Sequence, residues 1–218
     1  MTIHIGMLLF PALTQLDLTG PYEPFHRIPG AQVHLVWKDM EPVRTEAGFG
    51  LLPTTTLDAC PPLDVLFVPG GFGMVPLMSD AAVISFLQTQ AASAKFVTSV
   101  CTGALLLGAA GLLDGYQATT HWAYVDLLPQ FGATHVKGRV VRDRNRITAG
   151  GVTAGIDFGF TMLAELAGED FARKTQLGLE YDPAPPFHCG TPNVAPAEFV
   201  AEIRDRLLKR FERDRSVT

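Results

Sequence analysis

Short apolar runs alternate along the chain with longer stretches in which apolar residues recur at helical spacing. Ile3 to Phe10, bounded by Pro11, reads as a strand buried on both faces. Asp17 to Pro21 opens a short helix that ends near Arg27. Gln32 to Trp37 alternates as a second strand, and Asp64 to Val68 forms another that stops at Pro69-Gly70-Gly71. Ser79 to Ala92 has helical spacing, with Ser79-Asp80 placed to cap it. Lys95 to Val100 is a strand that runs through Cys101-Thr102-Gly103 straight into an apolar helix, Ala104 to Ala110. Ala118 to Trp122 reads as a short strand before a helix that reaches Leu128. Val140 to Arg142 and Arg146 to Ala149 flank the polar turn Asp143-Arg144-Asn145 as two more strands. Helices follow over Val152 to Ala167 and Asp170 to Leu179, then a proline-rich loop, Tyr181 to Phe187. An amphipathic helix from Pro196 to Glu212 closes the chain, and its charged end is expected to fray. This alternation predicts an α/β fold: one domain over residues 1–218, a three-layer sandwich whose mostly parallel sheet is covered by helices on both faces. Ligands in such folds bind at the carboxyl ends of the strands, near a switch in strand order.

Composition narrows the function classes. The 218 residues carry 17 basic and 22 acidic side chains, a formal net charge of −5, which offers no long-range attraction for nucleic acid or an anionic membrane. No secretory leader and no membrane span is expected, since the apolar runs are short and interrupted. A cytoplasmic protein that handles a small molecule fits these features. Cys60, Cys101 and Cys189 are odd in number and widely spaced, which argues against a disulfide framework, and they form no metal-ligand spacing. No metal and no cofactor is expected.

Of the three thiols, only Cys101 stands at a strand-to-helix junction. Ser99-Val100-Cys101-Thr102-Gly103 follows the logic of a nucleophile elbow, with cysteine in the place of serine and small residues that let strand and helix pack closely. The helix N-terminus behind such a thiol favours its thiolate, and the N–H of Thr102 faces a developing anion. The plainer alternative is a cysteine that fills the core. Cys60, before Pro61-Pro62, and Cys189, beside Gly190, lie in loops and read as incidental. Gly70 and Gly71 allow a ligand close to the backbone, where their N–H groups complete an oxyanion hole, or else they simply make a tight turn. Asp17, between Leu16 and Leu18, is either a helix cap or a desolvated carboxyl able to move a proton. His121, at the end of a predicted strand, is a second partner for the thiol or a structural histidine.

Pro69-Gly70-Gly71, the Cys101 elbow and Thr120-His121-Trp122 together resemble the ThiJ/PfpI superfamily, which shares the class I glutamine amidotransferase-like fold. The resemblance covers almost the whole chain. Leu16 to Pro21, Val97 to Gly103, Gly150 to Asp157 and Leu179 to Phe187 are similar, more narrowly, to the isocyanide hydratases within it. PfpI-type peptidases carry histidine directly after the nucleophile; here Thr102 occupies that position, so the resemblance implies no Cys–His protease dyad. It implies instead a homodimeric enzyme that adds water to an isocyanide, R–NC, to give the formamide R–NH–CHO. Cys101 would form a thioimidate, Asp17 would act as general acid and base, and Thr102 with Gly70 and Gly71 would hold water or stabilise charge. Phe72, His121, Trp122 and Phe187 are the pocket residues available for the R group. Two other readings stand beside this one. The N-terminal domains of AraC-type regulators carry similar segments, which allows a small-molecule sensor, although Thr218 follows too soon for a DNA-binding domain. Glyoxalase- or deglycase-like chemistry on a reactive carbonyl is the second.

Overall fold

A computed structural model describes residues 2–216. In chain order the strands are β1 (Ile3–Leu8), β2 (Ala31–Trp37), β3 (Val43–Arg44), β4 (Gly50–Leu51), β5 (Thr55–Thr56), β6 (Val65–Val68), β7 (Phe96–Val100), β8 (Gln117–Ala118), β9 (Thr134–His135), β10 (Val140–Asp143) and β11 (Arg146–Ala149). The helices are α1 (Gln15–Phe25), α2 (Met74–Leu77), α3 (Ala81–Ser93), α4 (Gly103–Ala109), α5 (Ala154–Ala167), α6 (Glu169–Gly178) and α7 (Ala197–Ser216), with a 3-10 helix at Trp122–Phe131.

Among the described residues, seven strands join one sheet in the order β10-β11-β7-β6-β1-β2-β5. Every pairing from β11 to β5 is parallel, and only the β10–β11 hairpin is antiparallel. The expected α/β sandwich with a mostly parallel sheet is therefore present. Strands β6 and β7 are buried at every residue, so both faces of the sheet are covered, as their unbroken apolar sequences require. Helices α1, α5 and α6 pack together, and α2, α4, α7 and the 3-10 helix form a second group. Phe25, Phe67 and Phe158 meet in the core with ring centroids 5.5–6.2 Å apart. Each such pair contributes about 0.5–1.5 kcal/mol beyond its burial.

The order reverses between β1 and β6: from β1 the chain proceeds to β2 on one side and later returns to β6 and β7 on the other. The carboxyl ends of β1, β6, β7 and β11 thus lie side by side at a topological switch point.

The expected cap at Asp80 is present, its carboxylate accepting from the N–H groups of Ala82 and Val83 at 3.1 Å. Three expectations need correction. The strand at Ala118 to Trp122 is confined to Gln117–Ala118, because its partner β9 supplies two residues for pairing. His121 then leaves the ladder and caps the 3-10 helix, its Nδ1 accepting from the Ala123 N–H at 3.2 Å. Finally, α7 continues past Glu212 to Ser216, with Arg213 and Arg215 in its last turn, where cations complement the helix dipole. Val217 and Thr218, which belong to the end expected to fray, lie outside the described residues.

Candidate active site

Cys101 sits between β7 and α4 with φ of 54°, a left-handed conformation that a non-glycine residue adopts at a cost of about 1–3 kcal/mol. Its surroundings hold it there. The Cys101 N–H donates to the carbonyls of Ala149 and Gly150 at 3.1 and 3.0 Å, and its own carbonyl accepts from Thr120 Oγ1 at 2.7 Å. Gly103 lets α4 approach β6, since a Cβ there would stand 2.2 Å from the Val68 carbonyl oxygen. The elbow is thus built from close packing and hydrogen bonds that leave the thiol one place to point.

Asp17 lies in the first turn of α1 and is fully buried. Its Oδ2 accepts from the Gly70 N–H at 2.9 Å, while Oδ1 is buried with no hydrogen-bond partner. Gly70 is wedged between the two candidate catalytic groups: a Cβ there would come within 2.6 Å of Asp17 Oδ2, 2.7 Å of the Thr102 nitrogen and 2.8 Å of the Cys101 Cβ. The Gly71 N–H in turn donates to Thr102 Oγ1 at 3.0 Å. This corrects the oxyanion expectation for Gly70 and Gly71. Both N–H groups are consumed in holding Asp17 and Thr102, so the pair braces the site instead of presenting donors to it. The N–H groups that do point at the sulfur belong to Thr102 and Val152.

Burial dominates the electrostatics. It raises the Asp17 pKa from 3.8 to about 7, against the opposing hydrogen bonds from Gly70 and Cys101; the charge of Glu46 adds to the rise. Burial also holds the Cys101 thiol well above its usual range, with the neighbouring Asp17 charge acting in the same direction and the Val152 and Thr102 N–H groups opposing it. The thiolate-favouring environment expected from the helix N-terminus is therefore outweighed. At neutral pH the thiol keeps its proton, and the carboxyl stands near the midpoint of its own titration.

Cys101 is 6% exposed and opens onto a cavity of about 540 Å3. Gly71, Thr102 and Val152 surround the thiol, Phe72, Met74, His121 and Tyr124 form walls, and Leu207, Arg210 and Phe211 of α7 close the far side. Of the residues considered for the R group, Phe72 and His121 line this cavity. Trp122 lines a neighbouring one of about 470 Å3. Phe187 does not belong to the pocket: the proline-rich loop carries it outward, 79% exposed, away from both cavities. Burial lowers the His121 pKa to about 4, so the ring is neutral at physiological pH, and its Nδ1 is occupied as a cap. Tyr124 escaped the sequence reading although it is buried in the wall, its hydroxyl donating to the Leu207 carbonyl at 3.2 Å. Burial raises its pKa, with the nearby Cys101 adding to that. Nothing in the helical stretch around it singles it out for chemistry. Among the described residues no cluster of three or more histidine, cysteine or acidic side chains is arranged to hold a metal ion.

A profile of the DJ-1/PfpI family matches residues 4–165, a stretch that contains Asp17, Gly70, Cys101 and Val152. The chain belongs to the DJ-1/PfpI family. A Pseudomonas putida member named isonitrile hydratase is 59% identical over 206 residues, covering 94% of this chain and 90% of its own length. The HTH-type transcriptional regulator GbdR of Pseudomonas aeruginosa is 32% identical over 80% of this chain, but the match spans only 48% of the regulator. Among solved structures, a ThiJ/PfpI family protein from Pseudomonas syringae superimposes with a TM-score of 0.95 at 45% identity, covering 99% of this chain and 90% of that one. The fold and the family expected from the elbow and the proline-glycine turn are thus both present.

Proposed function

We propose that the protein is an isonitrile (isocyanide) hydratase that converts R–NC and water to R–NH–CHO, with Cys101 as nucleophile and Asp17 as its proton carrier. The observation that carries this reading is the buried pair itself: a thiol that lines a largely apolar cavity and, hydrogen-bonded to it from behind the wall, a fully buried carboxyl, both reluctant to ionise. The terminal carbon of an isonitrile must gain a nucleophile and a proton together, and a pair holding one proton between them supplies both. The 59% identity to the Pseudomonas putida enzyme gives independent support.

In the first step the Cys101 sulfur bonds to the terminal carbon while the shared proton passes through Asp17 to that carbon, giving the thioimidate R–N=CH–S–Cys101. Asp17 is left as a carboxylate. It then takes a proton from water as the oxygen adds to the carbon and passes that same proton to the nitrogen, giving R–NH–CH(OH)–S–Cys101 and leaving Asp17 a carboxylate again. Collapse breaks the C–S bond, releases the formamide and returns a proton to the thiol–carboxyl pair. The Thr102 and Val152 N–H groups, which face the sulfur, stabilise it as it leaves with negative charge. Thr102 Oγ1 is fixed by Gly71 and keeps the elbow in register.

The same reading takes the protein to be a cytoplasmic homodimer without nucleic-acid or membrane partners. Its three unpaired cysteines suit a reducing compartment, and among the described residues no helix is long and apolar enough to cross a membrane. Exposed Leu177, Phe187 and Phe199 offer apolar surface for a second copy. Light scattering that returns the mass of one chain would refute the dimer. For the reaction, purified protein is incubated with cyclohexyl isocyanide and the products are separated chromatographically. N-cyclohexylformamide is expected to accumulate; none above the buffer control refutes the hydratase.

A further inference from the structure

The last helix sends a side chain across the mouth of the Cys101 cavity. The Arg210 guanidinium lies 3.7 Å from the centroid of the Phe72 ring and 2.8 Å from Glu46 Oε1. Glu46 approaches from the opposite side, in the connection between β3 and β4. It is anchored there by its N–H, which donates to the Leu13 carbonyl at 3.0 Å, and by Thr14 Oγ1, which donates to its Oε2 at 3.3 Å. Both Glu46 and Arg210 line the cavity that contains Cys101. Beneath them the walls are Phe72, Met74, Leu207 and Phe211.

We propose that the Arg210–Glu46 ion pair, seated on Phe72, is a latch over the cavity mouth that sets which isonitriles reach Cys101, admitting compact uncharged R groups beneath it and extended ones only when it opens. The inference rests on the hydratase reading for the identity of the substrate, but the access it describes can be measured without turnover. A compact hydrocarbon is buried among the four apolar walls and leaves the bridge intact. An extended chain must displace the guanidinium from the Phe72 face and part it from Glu46. The two side chains are 39% and 36% exposed, and pairs in such surroundings are weak, so the latch filters by length without sealing the site.

The test compares labelling of Cys101 by N-ethylmaleimide and by N-octylmaleimide at pH 9, read peptide by peptide by mass spectrometry. The proteins are the wild type, Glu46→Gln, Arg210→Met and the double variant. Exposed Cys189 in the same chain supplies the intrinsic ratio of the two reagents. The octyl-to-ethyl ratio at Cys101, divided by that at Cys189, is expected to rise about fivefold in Arg210→Met, the size of one exposed ion pair with its ring contact, and about twofold in Glu46→Gln, which removes the ion pair alone. It should rise no further in the double variant than in Arg210→Met, because the guanidinium is already gone. An unchanged ratio in either single variant, or additive effects in the double, overturns the latch. Formamide production from cyclohexyl and n-octyl isocyanide is measured alongside, and kcat/KM for the octyl compound should gain on that for the cyclohexyl compound in the same variants. A labelling shift with an unchanged kcat/KM ratio overturns the latch as a determinant of substrate choice. Absence of formamide in every protein refutes the hydratase and leaves the labelling to judge the latch.

Discussion

Asp17 and Cys101 titrate as a pair because burial opposes charge on both and each feels the other. Below about pH 7 the pair holds two protons and neither group accepts one; above it, one proton is shared, which in the proposed mechanism is the form that attacks. Accordingly kcat/KM for an isonitrile, which itself does not titrate in this range, is expected to rise with pH through an apparent pKa of about 7 and to fall again only in alkali, when the last proton leaves. His121, already neutral above about pH 4, does not supply that limb. A profile flat from pH 5 to 9 would contradict the assignment. Asp17→Asn should remove the limb and slow the reaction by about 10²–10⁴-fold. The same substitution should stabilise the protein. In the unfolded chain Asp17 loses its proton near 3.8, in the folded chain near 7, so between those values the folded state binds more protons and stability falls as pH rises. Asparagine escapes this cost, which is on the order of a few kcal/mol. The Tm advantage of the variant should be absent at pH 4, grow towards pH 7 and stay level above it. Equal melting temperatures at pH 8 would show that the carboxyl is not held against its ionisation.

Gly70 links the elements that carry the pair, since the β6–α2 turn passes between α1 and the elbow with no room for a side chain. Gly70→Ala should push Asp17 and Cys101 apart. A displacement of this kind costs about a hundredfold in turnover, with about 1–3 kcal/mol of stability lost to overpacking. Near wild-type kinetics in that variant would contradict the packing described. How much of this was legible beforehand follows from the range of the interactions. The β7–Cys101–α4 junction is a local feature, written in consecutive residues, and so it could be read directly. So could the apolar strands β1, β6 and β7, buried on both faces and therefore continuous runs. The task of the Gly70 and Gly71 N–H groups could not, because the carboxyl and hydroxyl that claim them come from residues 17 and 102. The short strands β3, β4 and β5 carried too few residues to show a period. The strong burial of Cys101 also hid from local reasoning, which sees the helix N-terminus but not the carboxylate and apolar walls that outweigh it.

The whole molecule adds what neither loop nor element contains. The switch in strand order sets four strand ends side by side, and α7 folds back over them from the far end of the chain. Its contribution was not legible because an amphipathic helix declares only that one face is buried, not which surface it meets. Phe211 is the buried anchor of that helix, against Tyr124 at 5.8 Å between centroids. Phe211→Ala should cost about 3 kcal/mol and loosen the cavity wall, read as a lower Tm together with a higher KM. An unchanged KM would mean that α7 serves packing alone. The chemistry itself is tested by formamide release from cyclohexyl isocyanide, comparing the wild-type protein with Cys101→Ala under identical conditions. Steady release is expected from the former and background from the latter; release that survives the loss of the Cys101 sulfur would contradict covalent catalysis.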